Sequence, residues 1–220
     1  MKKFYNVGKN TLFPINRSLT GKGNVKTLKI IQKNFSSLKI KKIKSKTKVF
    51  DWAVPPEWNV SEAYVLDKNY SKIIDFSKNN LHLIGYSSPL KKILKKKDLL
   101  KNLHYLTKQP KAIPYITSYY KKKWGFCISY NEFKKFDKKY NSNDRFKVVI
   151  KSDFKKGGNL NYGELILKGN SKQEILISTY ICHPSMANNE LSGPIVSMGL
   201  IDYFRKKKLN KTIRFILFQK

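Results

Sequence analysis

The clearest pattern of apolar and polar residues lies in the last third of the chain. Residues 174–181 form a nearly continuous apolar run, which is typical of a strand buried in a parallel sheet. Residues 191–207 then carry apolar side chains at helical spacing, and residues 212–218 form another apolar run. A strand, a helix and a strand in this order predict a βαβ unit with two parallel strands.

Patterns nearer the N-terminus predict further elements of the same kind. Residues 24–35 carry apolar side chains at helical spacing, and Asn24 is the predicted N-cap of this helix. Apolar or alternating runs predict strands over residues 38–43, 48–54, 146–150 and 160–167. These elements extend the regular pattern to both ends of the chain.

The middle of the chain has a different character. It contains short strand-like runs, a lysine-rich helix predicted near residues 95–104, proline-containing loops and a second helix predicted near residues 129–136. Because no regular alternation of strands and helices runs through it, we predict a small α+β insert domain over residues 56–149. Residues 1–55 and 150–220 are then predicted to form one α/β domain.

The charge of the chain is strongly positive. It has 46 Lys and Arg residues against 14 Asp and Glu, which gives a formal net charge of +32. Only four of the basic residues are arginines, and the lysines are spread over the whole chain. Nucleic-acid surfaces concentrate their charge and use arginine for paired contacts. We therefore do not expect nucleic acid to be the main partner, and a basic nucleic-acid binder stays the weakest alternative.

The apolar stretches and the cysteines indicate in which compartment of the cell the chain is expected. The longest apolar runs, such as residues 213–218, are too short to span a membrane, so no membrane association is expected. Polar residues soon after Met1 interrupt any signal-peptide pattern. Cys127 and Cys182 are too few for a disulfide framework. We interpret the chain as cytoplasmic.

One segment, residues 181–194, carries candidate chemistry. It connects the buried strand to the following helix, and ligands bind in this crevice in open α/β sheets. His183 is a suitable zinc ligand there, and a side-chain oxygen six residues later can reach the same ion. Taken alone, a single histidine at a strand end is more often structural, so both interpretations stay open. Cys182 alternates with His183 and is predicted to face the core on the opposite side.

Four blocks of sequence resemble a known bacterial family. They span residues 12–23, 49–60, 113–127 (in two parts) and 181–194. The chain resembles the polysaccharide biosynthesis proteins with an aminopeptidase-like domain, which are related to the zinc aminopeptidases with a co-catalytic metal pair. The resemblance implies a three-layer α/β/α domain with a central, mostly parallel sheet, interrupted by the insert domain.

The resemblance also implies roles for single residues. His183 matches the first zinc-ligand position and Asn189 the ligand position that bridges two metals. Ser185 stands where the co-catalytic enzymes have Asp, and Glu190 is interpreted as a plain acid in the first helical turn. Because the neutral amide of Asn189 does not offset the repulsion between two metals, we expect one zinc ion at most.

The resemblance further implies that the site is incomplete. In the family, the strand that matches residues 212–218 runs into Pro-Glu-Thr, which supplies the general-base Glu, whereas here Gln219 and Lys220 follow. We expect a truncated metal-dependent hydrolase for a peptide or peptide-like substrate, inactive by itself. A frameshift, a contig end and a natural truncation stay open as causes.

Other interpretations also stay open. The main alternative function is a non-catalytic protein associated with polysaccharide biosynthesis, and a homo-oligomer is compatible with the sequence. The loop that contains Arg17, Thr20, Gly21 and Gly23 either shapes the start of the first helix or faces a substrate.

Overall fold

The structure of the chain is a computed structural model that describes residues 1–119 and 121–219. The chain divides into two compact units, Met1–Glu57 with Lys155–Lys220 and Trp58–Phe154. The sequence predicted two domains, one formed by residues 1–55 and 150–220 and one by residues 56–149. That division into domains stays a prediction. The two units are described one at a time.

Helices and strands of the described residues are numbered along the chain. The helices are α1 (Lys2–Val7), α2 (Lys22–Asn34), α3 (Lys96–Leu100), α4 (Tyr130–Lys139), α5 (Ala187–Glu190) and α6 (Ser192–Phe204). The strands are β1 (Lys39–Lys44), β2 (Lys48–Val49), β3 (Trp52–Ala53), β4 (Glu57–Leu66), β5 (Lys72–Asp75), β6 (Leu90–Lys95), β7 (Leu103–His104), β8 (Phe126–Cys127), β9 (Arg145–Lys155), β10 (Asn159–Leu167), β11 (Glu174–Tyr180) and β12 (Thr212–Phe218). A π-helical turn, Gly8–Leu12, continues α1, and a 3-10 turn spans Asn80–His82.

The first unit contains a four-stranded mixed sheet in the order β1-β10-β12-β11. Strand β10 is antiparallel to both of its neighbours, whereas β11 is parallel to β12 and places Ile177 opposite Phe215. The predicted βαβ unit of β11, α6 and β12 is therefore confirmed. The predicted mostly parallel order does not hold among the described strands. Parallel neighbours need a crossover connection, and here α6 supplies it for one pair.

Strand β11 lies at one end of the described strand order and is not buried. Ile175 is 46% exposed and Leu176 is 64% exposed. The prediction of a buried parallel strand was therefore wrong for this part of the chain, although the strand itself exists. An apolar run indicates a strand that can be covered on both faces, but the sequence does not show which neighbours cover it.

Apolar side chains of α1, α2 and α6 pack with those of the sheet to form the core of the first unit. Leu28 and Ile31 of α2 contribute to this core, as do Met198 of α6 and Phe215 of β12, and all four are fully buried. The burial of these residues accounts for the helical spacing seen in the sequence.

Helix α2 begins at Lys22, and the prediction that Asn24 is its N-cap was wrong. The N-cap is Gly21, whose φ of 104° favours glycine. Asn24 is buried, and its side chain binds the backbone of Ser18: the Ser18 N–H donates to Oδ1 at 3.1 Å, and Nδ2 donates to the Ser18 carbonyl. The amide therefore satisfies backbone groups of the loop before the helix, which would otherwise be buried without partners.

Two shorter elements also differ from the predictions. The strand predicted over residues 48–54 is a hairpin of β2 and β3, with Phe50 at the turn in the left-handed region at a φ of 55°. The helix predicted near residues 95–104 is the shorter α3, which ends at Leu100. The pattern of apolar residues did not predict α1.

The second unit contains a sheet in the order β5-β4-β9-β6 and a short parallel pair of β7 and β8. Its helix α4 confirms the prediction near residues 129–136. Ser129 and Glu132 form a capping box at its start: the Glu132 N–H donates to the Ser129 hydroxyl at 3.2 Å, and the Ser129 N–H donates to Glu132 at 2.8 Å. None of the helices that the structure describes has the length and apolar character needed to cross a membrane.

Candidate metal centre

The candidate segment lies where the two parallel strands of the first unit end. Tyr180 of β11 pairs with Phe218 of β12, and the Ile181 N–H donates to the Phe218 carbonyl at 2.9 Å. Residues 181–186 then form a loop that leads to α5 and α6. His183 therefore lies at the carboxyl end of the sheet, as the sequence predicted.

The start of α6 packs closely against β11. A Cβ atom at Gly193 would lie 1.8 Å from Oγ1 of Thr179, so only glycine allows this approach. The close approach of α6 to β11 fixes the short segment between them, which contains α5. Glu190, the last residue of α5, lies beneath the loop of residues 181–186.

Glu190 is the residue whose role the sequence analysis missed. Its side chain is 1% exposed, and Oε1 lies 2.5 Å from Nδ1 of His183. Its other oxygen, Oε2, accepts from the backbone N–H groups of Cys182 at 3.2 Å and His183 at 3.4 Å. Glu190 does lie in the first turn of α5, but the interpretation that it is a plain acid there was wrong, because its carboxylate has specific partners. The loop turns back over α5, and a buried carboxylate needs partners of this kind.

Cys182 is buried as predicted, but it does not face away from His183. Its thiol donates to Oε2 of Glu190 at 3.7 Å, so both side chains contact the same carboxylate. Strand alternation does not apply here because β11 ends at Tyr180 and the residues after it belong to the loop.

Arg17 is a second buried charged residue in this region, beside Glu190. Its side chain is almost fully buried, and its guanidinium donates to the carbonyl of His183 at 2.8 Å and to the carbonyl of Leu12. Burial lowers the pKa of Arg17 to about 10, although the charge of Glu190 acts in the opposite direction. The loop before α2, which the sequence left without a role, thus supports the backbone of the candidate site.

The charges of the site are strongly coupled. Burial disfavours the protonated form of His183, but the contacts with Cys182 and the carboxylate of Glu190 outweigh it and raise the pKa of His183 to about 10. Burial also opposes ionisation of Glu190, yet the contact with His183 and the two backbone N–H groups lowers its pKa. Both shifts favour the charged pair of an imidazolium and a carboxylate, and a metal ion that binds the imidazole would have to displace a proton.

Asn189 lies on α5 beside Glu190 and is exposed. The prediction that its amide oxygen shares a metal with His183 stays a prediction. Within the described residues, donor atoms of Cys182, His183 and Glu190 form a cluster in which all lie within 4.8 Å of one another. An imidazole with a carboxylate beside its ring is an arrangement that zinc sites use, so the chemistry of His183 and Glu190 fits this ion.

Comparisons with known proteins show which proteins are similar to this chain. The model of a family described as a domain of unknown function, DUF4910, matches residues 6–220. A curated protein of Clostridium acetobutylicum, named as a polysaccharide biosynthesis protein with an aminopeptidase-like domain, is 43% identical over 205 residues. That match covers 93% of this chain and 46% of the relative.

Solved structures are also similar to the chain, among them the following two. A crystal structure from Clostridium acetobutylicum, named as a peptidase, matches with a TM-score of 0.93 and 42% identity, over 99% of this chain and 50% of that one. A zinc aminopeptidase from Bacillus subtilis matches with a TM-score of 0.61 and 12% identity, over 99% of this chain and 60% of that one. At that identity the likeness shows the fold alone. The chain spans about half the length of the relatives from Clostridium acetobutylicum.

Proposed function

The chain belongs to the DUF4910 family, and we propose on that premise that it carries the N-terminal part of a zinc site for hydrolysis of peptide or amide bonds. It is an aminopeptidase-like protein with the α/β fold of the zinc aminopeptidases. One observation carries the proposal: a histidine at the carboxyl end of a strand, backed by the buried carboxylate of Glu190 at 2.5 Å.

Each residue of the site has a proposed role. His183 binds the metal, and the amide oxygen of Asn189 is the proposed second ligand. Arg17 and Glu190 hold His183 in place through its carbonyl group and its ring. Zinc in such a site would supply Lewis-acid polarisation of the substrate carbonyl group. One ion at most is proposed, since a neutral amide cannot offset the repulsion between two metals.

None of the described residues at this site is placed to act as the general base that hydrolysis needs. The carboxylate of the described metal-donor cluster belongs to Glu190, and both of its oxygens are engaged by His183, Cys182 and the backbone. A base must reach the water that attacks the substrate, which a fully buried and occupied carboxylate does not do. We therefore propose that the 220-residue chain is inactive by itself.

A second candidate is a non-catalytic aminopeptidase-like protein that acts in polysaccharide biosynthesis. The observation that favours it is Asn189, since a neutral amide stands at the position where the related enzymes bridge two metals with a carboxylate. A site of this kind would bind metal weakly. Release of amino acids from peptides, measured on the full-length gene product and on the 220-residue chain, separates the two candidates.

Zinc stoichiometry tests the proposed function directly. The wild-type protein is dialysed against zinc and its metal content is compared with that of His183→Ala, with His104→Ala as the matched control from the other unit. We expect His183→Ala alone to lose zinc while all three proteins keep the same circular-dichroism spectrum. Equal zinc content in the wild type and His183→Ala would contradict the proposal.

A further inference from the structure

We infer that Glu190 is a positioning residue that decides which nitrogen of His183 binds the metal. Its carboxylate holds Nδ1, so Nε2 becomes the donor nitrogen. This inference rests on the proposed function, because it needs a metal at His183, but neither the family model nor the relatives assign a role to Glu190.

The distance between the two groups is the first argument. Two ligand atoms of a tetrahedral zinc ion with bonds of about 2.0–2.1 Å lie about 3.3 Å apart. Nδ1 of His183 and Oε1 of Glu190 are 2.5 Å apart, which is too close for two ligands of one ion. A carboxylate oxygen at this distance occupies the space beside Nδ1 and leaves no room there for a metal ion bonded at about 2.0–2.1 Å.

The surroundings of Glu190 are the second argument. Oε1 is fully buried and makes no hydrogen bond to any described residue, so its 2.5 Å contact with Nδ1 of His183 has no competitor. Oε2 is held by the N–H groups of Cys182 and His183. A carboxylate fixed at one oxygen by the backbone presents the other oxygen in a fixed direction, and the ring of His183 must follow it.

The backbone of His183 is fixed from the opposite side. Arg17 donates to its carbonyl at 2.8 Å, and the positive charge of Arg17 offsets the buried charge of Glu190. The side chain of His183 keeps 19% of its surface exposed, whereas that of Glu190 keeps 1%. The side chain of His183 is therefore more accessible to solvent than the carboxylate that it contacts.

A direct role for Glu190 as a ligand is the competing arrangement. It would need Nδ1 and Oε1 to separate by about 0.8 Å before both could bind one tetrahedral ion. It would also place the ion beneath the loop, beside an oxygen that solvent does not reach. The geometry therefore favours an orienting carboxylate behind the ligand over a carboxylate on the metal.

Nuclear magnetic resonance of the histidine rings tests the inference without any assay of activity. The chain has three histidines, so the ring signals of His183 can be assigned with His183→Ala. In the wild-type protein labelled with ¹⁵N-histidine, zinc chloride should shift the Nε2 signal while Nδ1 keeps its proton. Zinc affinity, measured by competition with a chelator, should fall about 10- to 100-fold in Glu190→Gln.

Two further variants make the comparison sharp. Glu164→Gln is the matched control, since Glu164 is a buried carboxylate of the same unit that pairs with Lys41 and Arg214, and it should leave zinc affinity unchanged. Glu190→Asp keeps the carboxylate and should recover part of the affinity. If Glu190→Gln does not fold, the ring signals of the wild type still decide between Nδ1 and Nε2.

The outcomes separate this inference from the proposed function. Zinc bound at Nδ1, or equal zinc affinity of Glu190→Gln and Glu164→Gln with the metal still at His183, would overturn the positioning role and leave the proposed function standing. A wild-type protein in which zinc changes neither ring nitrogen of His183 would overturn the proposed function, and the positioning role with it.

Discussion

Replacing Arg17 with methionine tests whether the buried guanidinium stabilises the candidate site. The substitution keeps an unbranched apolar side chain but removes the hydrogen bonds to the carbonyls of Leu12 and His183. Hydrogen bonds from a charged donor contribute about 1.5–3 kcal/mol each. Arg17→Met no longer buries a charge, which offsets part of the loss, so we expect a net destabilisation of about 2–4 kcal/mol.

Thermal unfolding gives the measurement. For a chain of this size a loss of that order lowers the Tm by roughly 5–15 °C. Arg145→Met is the matched control because Arg145 is exposed, and it should change the stability by no more than about 0.5 kcal/mol. Arg17→Lys should fall between the two, since a single ammonium group does not reproduce the planar fork of a guanidinium. Equal Tm values for Arg17→Met and Arg145→Met would refute the reasoning.

Two more predictions follow from charges in the first unit. Asn189→Asp should raise zinc affinity or admit a second ion, because it adds a carboxylate. Calorimetric titration with zinc measures both quantities. Unchanged affinity and stoichiometry would argue against Asn189 as a metal ligand. The pKa of Glu164 is lowered by Lys41 and Arg214 against the effect of burial. Its stabilising effect is therefore present above the pKa of the unfolded chain and is lost as pH falls through the folded value. Glu164→Gln should reduce the acid-side slope of stability in urea titrations at several pH values, and an identical slope would count against this ion pair.

Local patterns of the sequence were sufficient for several parts of the fold. The apolar runs and the helical spacing over residues 174–218 predicted β11, α6 and β12, because strand-length apolar runs and helical periodicity are properties of the local sequence. The same patterns placed His183 at a strand end. Motif resemblance predicted the family, since long ordered blocks are a property of the sequence alone.

These patterns did not predict the order of the strands in the sheet. An apolar run predicts a strand but not its neighbours, so β11 was predicted to be buried although Leu176 is exposed. The position of Asn24 shows the same limit at a smaller scale. A side-chain amide two residues inside a helix can cap it or bind a nearby loop, and the decision depends on which backbone groups become buried.

The sequence by itself determined the βαβ unit, the position of His183 and the family. Only the tertiary structure decided how the site is held together. Glu190 follows His183 by seven residues and Arg17 precedes it by 166, and nothing in their spacing indicates that both contact it. The physical reason is that burial of a charge is compensated by whichever opposite charges and polar groups the fold brings near. Hydrophobic periodicity carries no information about those partners.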